Sequence, residues 1–238
     1  MANETRWTVL PHRPIEKLSE RVWRVEGDLK GMDLKRVMTV ARRADGGLVV
    51  HNAVALEEPA MKEIDDWGPV RFIVVPNGYH RIDAPRFKAR YPDAKVLCPK
   101  GSRAKVEQRV AVDGAYEDLP ADEFVSLETL DGTGEGEGVM VVREGTGSGT
   151  TVVFNDAVFN MPHQPGFSGF VLRYVTASTG GPKVSRLARL ALIKNKRDFA
   201  AHLGRIANLP GLARVIVSHH ETITDDPAGA LRAVAASV

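Results

Sequence analysis

Arg71-Phe-Ile-Val-Val-Pro-Asn-Gly-Tyr-His80 decides the fold. A short run rich in Val and Ile, closed by Pro-Asn-Gly, reads as a buried strand that stops on a histidine. Two later stretches repeat the pattern. Thr151-Val-Val-Phe-Asn-Asp156 stops on a carboxylate, and Ala213-Arg-Val-Ile-Val-Ser-His219-His220 stops on a histidine pair. Strands of one sheet that end together place their last residues on one rim, where a rigid scaffold holds binding and catalytic groups. His80, Asp156 and His219 are therefore expected to converge, although they lie far apart in the chain.

Upstream, Arg21-Val-Trp-Arg-Val-Glu26 alternates and meets Gly27, and Arg36 to Ala41 follows as a second strand. Asp45-Gly-Gly47 is a hairpin turn into Leu48-Val-Val50. The segment 57–66 reads as a helix with Pro59 in its first turn. Asp83 reads as the N-cap of a helix ending near Tyr91-Pro92, and Ser102 as the N-cap of another after the Ala94–Cys98 strand. Between Asp131 and Thr150 glycine is dense. The spacing of Gly132, Gly134, Gly136 and Gly138 does not make a phosphate-binding loop, and no Lys lies there. These glycines read as turns, with Glu135 and Glu137 solvated on them, and Gly145 to Gly149 as a hairpin tip.

Downstream, 161–182 is irregular and follows the Asp156 strand, so it is placed as a flap over the rim. The segment 183–195 reads as an amphipathic helix with a basic face, and 198–207 as a second helix. Asp226-Pro227 caps a final Ala-rich helix. Strands and helices in this order fit an α/β fold, a four-layer αββα sandwich of two mixed β-sheets flanked by helices. One domain over 1–238 is expected, with 1–20 as an N-terminal extension.

Composition supports a full core, with 43% hydrophobic residues, and a net charge of +2 gives no reason to expect nucleic acid or an anionic membrane. The single cysteine, Cys98, excludes an intrachain disulfide and reads as a buried thiol. The N-terminal residues lack the apolar run of a signal peptide, and no stretch approaches the roughly 18 apolar residues of a membrane span. A cytoplasmic protein with a small-molecule substrate or ligand is the expectation.

In order, the segments Leu48-Val-Val-His51-Asn52, Ile73 to His80, Tyr91-Pro-Asp-Ala-Lys-Val96, Val152 to Phe159 and Val215-Ile-Val-Ser-His219 resemble the metallo-β-lactamase-fold superfamily over roughly residues 20–235. Arg197-Asp198 fits a divergent branch of it. The resemblance implies a hydrolase fold and ligand positions at Asp156 and His219. It also shows departures. Where the superfamily carries His-x-His-x-Asp-His, this chain offers Asn77, Tyr79 and, one residue out of register, His80. His51 stands where an acidic residue is usual, and the Gly132–Gly138 segment holds no histidine. The usual two-metal clamp, with ions about 3.5–4 Å apart, is therefore not expected.

A catalytic zinc needs about three protein ligands and an open position. His80, Asp156 and His219 could supply them, with His51, His163 or His220 as substitutes; iron or manganese accepts the same nitrogen–oxygen set. The expected activity is hydrolysis of an ester, amide or phosphoester. His80 and Asp156 would be catalytic, and Tyr79 or a second histidine would donate a proton. His220 would point to the opposite side from His219 if the strand continues. The competing expectation is a metal-free relative that binds a small molecule or a protein partner at the same rim. His12 and His202 read as surface residues.

Overall fold

Alternation along the strands sorts the apolar side chains into three layers of core. The computed structural model describes residues 4–145 and 149–238, with Met32, Asp33 and Ser168 described in backbone only. The Gly145–Gly149 tip falls partly on 146–148, outside the described residues. The first sheet runs in chain order: β1 (Glu16–Lys17), β2 (Val22–Leu29), β3 (Met32–Arg42), β4 (Leu48–His51), β5 (Val70–Val74), β6 (Lys95–Cys98) and β7 (Gly114–Ala115). Strands β1 to β4 pair antiparallel and β4 to β7 parallel, so the sheet is mixed. The parallel connections carry α1 (Glu58–Trp67) and α2 (Ala84–Arg90), and a short α3 (Arg103–Val106) precedes β7.

The second sheet is built from β8 (Val125–Thr129), β9 (Gly138–Arg143), β10 (Thr150–Val153) and, after a ribbon of β11 (Phe159–Met161) and β12 (Gly181–Lys183), from β13 (Leu212–Ile216). Strand β13 lies parallel to β10, while β10 and β8 flank β9 antiparallel. Helices α4 (Gly166–Phe170) and α5 (Arg186–Ala191) belong to the flap region; α6 (Lys196–Ala207) and α7 (Pro227–Ala236) cover the sheet.

Period-two side-chain direction explains the layering. In β4, Leu48 and Val50 join Met61, Ile64 and Phe87 under the helices, while Val49 turns into the space between the sheets. In β9, Val139 and Val141 pack against Phe199, Leu203 and Leu231, while Met140 and Val142 face Val49, Phe72 and Val74. The result is the four-layer αββα sandwich. Strands β4, β5 and β6 point one way, as do β10 and β13, so their carboxyl ends form the rims from which loops carry polar groups.

Several local expectations change. Asp83 sits at the start of α2 but does not cap it; its carboxylate turns inward, 2.8 Å from the Arg36 guanidinium, and accepts from Ala55 N. Ser102 does not cap α3: its hydroxyl donates to the Gly136 carbonyl at 2.6 Å. The helix read over 183–195 shrinks to α5. Residues 181–183 are taken by the ribbon with β11, and the Lys194 and Asn195 N–H groups donate to Gly132 O instead of continuing the helix. The 161–182 flap is not wholly irregular, since it holds α4 and a π-helical turn over Val171–Val175. His202 is not a surface residue. It is buried on α6, its Nδ1 2.9 Å from Asp131 Oδ2 and its Nε2 2.8 Å from Arg205 Nη2. Cys98 is buried, and burial pushes its thiol up to about 11.

Candidate metal centre

The loops after three strands bring His80, Asp156 and His219 together. One ligand atom from each lies within 4.8 Å of the other two. His80 follows β5, where Asn77 folds the chain back. The Asn77 side-chain oxygen accepts from the Tyr79 and His80 N–H groups at 2.8 and 3.1 Å. This Asx-type turn aims the imidazole at the opposite sheet. Asp156 follows β10, and His219 follows β13, where Ser218 O accepts from Val37 N and ties the two sheets together.

Asp156 Oδ1 is 3.1 Å from His80 Nε2 and 3.1 Å from His219 Nε2. The far side of each ring fixes its tautomer. His219 Nδ1 is 2.7 Å from the Lys35 carbonyl, which can only accept, so Nδ1 carries a hydrogen. His80 Nδ1 is 3.1 Å from Asn52 Oδ1. The Asn52 amide nitrogen donates to Val37 O at 2.9 Å, which leaves Asn52 Oδ1 as an acceptor and His80 Nδ1 as a donor. In the neutral rings both Nε2 atoms present lone pairs to a carboxylate oxygen; in the protonated rings both donate to it. Three acceptors at such separations need positive charge among them: a proton on the rings, or a metal ion. Oriented Nδ1–H groups on acceptors are also how metal-bound histidines are held.

The spacing fits an ion as well. Around a tetrahedral zinc with bonds of roughly 2.0–2.1 Å, neighbouring ligand atoms lie about 3.3 Å apart, close to the two separations from Asp156 Oδ1 to the rings. Three protein ligands leave one position open.

The carboxylate has its own support. Asp156 Oδ2 accepts from the Asn77 amide at 2.7 Å, and the same amide reaches Glu137 Oε2 at 3.2 Å. Burial pushes the Asp156 carboxyl up, but with the rings protonated the charge of His80 and hydrogen bonds from His219 and His80 outweigh it and hold the group well below the usual range. Beneath it, Glu137 is fully buried, not solvated as its glycine neighbours suggest. It accepts from Ala157 N at 2.6 Å and from Asp156 N at 3.1 Å. Burial, then the Asp156 charge, push its carboxyl up to about 8, although those N–H donors pull it back. Gly138 makes this descent possible. A Cβ there would lie 1.9 Å from the Tyr116 ring, so only glycine lets β9 begin against that ring.

The other expected site residues stand apart from this group. His51 closes β4 opposite Thr39 and is completely buried, with neither ring nitrogen partnered among the described residues. Burial, then the nearby His80, lower it to about 3. His220 has a left-handed backbone, φ 66°, which turns it out of strand geometry; its carbonyl accepts from Arg24, and burial holds its ring down to about 4. His163 lies on the flap, its Nδ1 2.9 Å from Thr179 Oγ1. Tyr79 stands at the rim, 67% exposed, its hydroxyl accepting from Lys105 Nζ at 3.0 Å. That bond and the Lys105 charge lower the phenol below its ordinary value. Among the described residues no second cluster of three such ligands occurs.

Sequence reasoning missed Asn52 and Glu137 as supports and treated Asn77 only as a replaced ligand position. Asn52 had one signal: a short polar residue just past a strand is a common holder of positive φ, here 56°.

Two stacked mixed sheets between helices, with a polar cluster at the strand ends, make up the metallo-β-lactamase fold. No protein-family model matches the sequence, and no curated protein sequence matches it. Solved structures do. The chain is similar to the DIM-1 metallo-β-lactamase exposed to ceftazidime, with a TM-score of 0.63 and 11% identity over 97% of this chain and 99% of the other. A metallo-β-lactamase from Erythrobacter litoralis with β-mercaptoethanol in its active site gives a TM-score of 0.61 and 12% identity, covering 94% and 96%. TMB-1 gives 0.61 and 10%, covering 96% and 99%.

Proposed function

We propose that this protein is a metal-dependent hydrolase of the metallo-β-lactamase fold with a single-ion site formed by His80, Asp156 and His219. The observation that carries the reading is the tautomer pattern: Lys35 O and Asn52 Oδ1 each take an Nδ1 hydrogen, leaving both Nε2 lone pairs aimed at one carboxylate oxygen. A bound zinc, iron or manganese ion would supply Lewis acidity toward water and toward a carbonyl or phosphoryl oxygen. The chain's own residues do the rest. Asn77 and the Asp156 backbone geometry fix the carboxylate; Lys35 O and Asn52 orient the rings. Tyr79, acidified by Lys105 at the rim, donates a proton to the leaving group of an ester, amide or phosphoester.

The closed cluster also supports a second reading. With both rings protonated, the two 3.1 Å contacts are imidazolium–carboxylate hydrogen bonds, and the rim is a metal-free binding site for a small molecule or a protein partner. Metal analysis of protein purified without chelator separates the two. About one equivalent of one transition metal, lost in Asp156→Asn, supports the hydrolase; less than about a tenth of an equivalent leaves the metal-free reading.

A further inference from the structure

The net charge of +2 averages over a strong local asymmetry. Residues 157–197 contain seven of the 32 Lys and Arg and none of the 30 Asp and Glu. The remainder therefore holds 25 against 30. Among the described residues, none of those seven cations pairs with an Asp or Glu side chain. Among the described residues the same stretch holds six of the eight exposed large apolar side chains: Phe167, Phe170, Tyr174, Val175, Leu187 and Leu190, with Phe167 83% and Leu190 79% exposed.

These groups sit on one joined unit. Phe170 and Tyr174 rings lie 4.9 Å apart, with the Arg173 guanidinium over Tyr174. Arg186 N donates to Thr176 O, and its guanidinium donates to Tyr174 O at 2.9 Å, so the start of α5 is fastened to the end of the π-helical turn. Helix α5 already uses one apolar face on the core through Ala188, next to Val184 and Ile193. Leu187 and Leu190 make a second apolar face that no part of the described chain covers.

We infer that this flap is a docking surface for anionic lipid, inserting its aromatic and aliphatic side chains at the headgroup boundary while Arg173, Arg186 and neighbouring cations meet the lipid phosphates and carboxylates. Clustered exposed apolar area on a soluble chain marks an interaction surface. Aromatic and Leu side chains interleaved with Lys and Arg, free of acids, match an anionic bilayer interface. A second copy meeting the same patch would set like charges against each other. A nucleic-acid duplex would leave Val175, Leu187 and Leu190 without a partner. Phe159, at the root of the flap, stacks on the His219 ring at 5.4 Å, so the surface adjoins the rim. The inference stands whether or not the rim holds a metal ion.

Cosedimentation with vesicles tests it, using phosphatidylcholine alone and phosphatidylcholine with about one part in five phosphatidylserine. The expected result is partition onto the anionic vesicles about tenfold or more above the neutral ones, weakened by added salt. Phe167→Ser with Leu190→Ser should lower it by about tenfold with an unchanged melting temperature, and Arg173→Glu with Arg186→Glu should lower it by a similar factor while also removing the Arg186 bond to Tyr174 O. No partition, equal partition onto neutral vesicles, or full binding by both double variants overturns the inference. So does a dimer seen by light scattering that Phe167→Ser/Leu190→Ser dissociates while vesicles stay unbound.

Discussion

Asp156→Asn tests the centre at its most constrained point. The carboxylate oxygen that both Nε2 atoms face becomes an amide, while Asn77 can still reach the other position. An ion present at 100 times its dissociation constant stabilises the fold by about 2.7 kcal/mol. For a chain of this size each kcal/mol moves the melting temperature by roughly 2–4 °C. Chelation of the wild-type protein should therefore lower it by about 5–11 °C, and zinc should restore it. In Asp156→Asn the chelator should shift nothing, because the neutral amide is a poor third ligand. Differential scanning fluorimetry with and without chelator, alongside metal analysis, reads both. An equal chelator shift in variant and wild type would refute the assignment, since the ion would then lie elsewhere.

Three further expectations follow from buried or rim groups. Glu137 is raised in the fold to about 8 from an ordinary 4.5, so its contribution is fully present at acid pH and is lost as pH rises through that window. In chelated protein, wild-type stability should fall with a slope of at most about 1.4 kcal/mol per pH unit, and denaturant titrations of Glu137→Gln should lack that slope. His51 is depressed to about 3 in the fold, so stability drains away as pH falls below its ordinary 6.5. His51→Leu should remove that acid sensitivity and raise stability by about 1–3 kcal/mol, since two unpartnered ring nitrogens leave the core; a loss of stability would show that the imidazole has a partner. Tyr79→Phe should reduce hydrolysis by about a hundredfold with no change in melting temperature, as its ring is largely exposed; an unchanged rate would remove Tyr79 from the proton path.

The strands were legible because hydrophobic alternation is a local signal: Leu48-Val-Val50 and Val139 to Val142 announce both of their faces. The convergence of His80, Asp156 and His219 was legible for a related reason, as each ends an apolar run. What surrounds them was not. Lys35 contributes a backbone carbonyl, which no side-chain pattern records. Glu137 sits among glycines that normally mark solvent-facing turns, and only the approach of Tyr116 to Gly138 shows why the chain dives inward there. Asp83 and Ser102 look like caps by residue type, yet tertiary partners outcompete the local N–H groups: Arg36 for one, Gly136 O for the other. The length of α5 was lost to competition from the Gly132 carbonyl, distant in sequence, which takes the Lys194 and Asn195 N–H groups.

His80 comes from the first half of the chain, and Asp156 and His219 from the second; the Lys35 carbonyl and Val37 amide bind the His219 loop back across the gap. Whatever positive charge rests on the carboxylate thus acts as a rivet at the rim of two slabs that share an apolar layer deeper between the sheets. Removing it should loosen the seam at that edge before either slab melts. Amide exchange after chelation should speed up first at Val37 and in the His219 turn, and only later in β9, so that loading of the centre reports directly on how tightly the two halves are clamped.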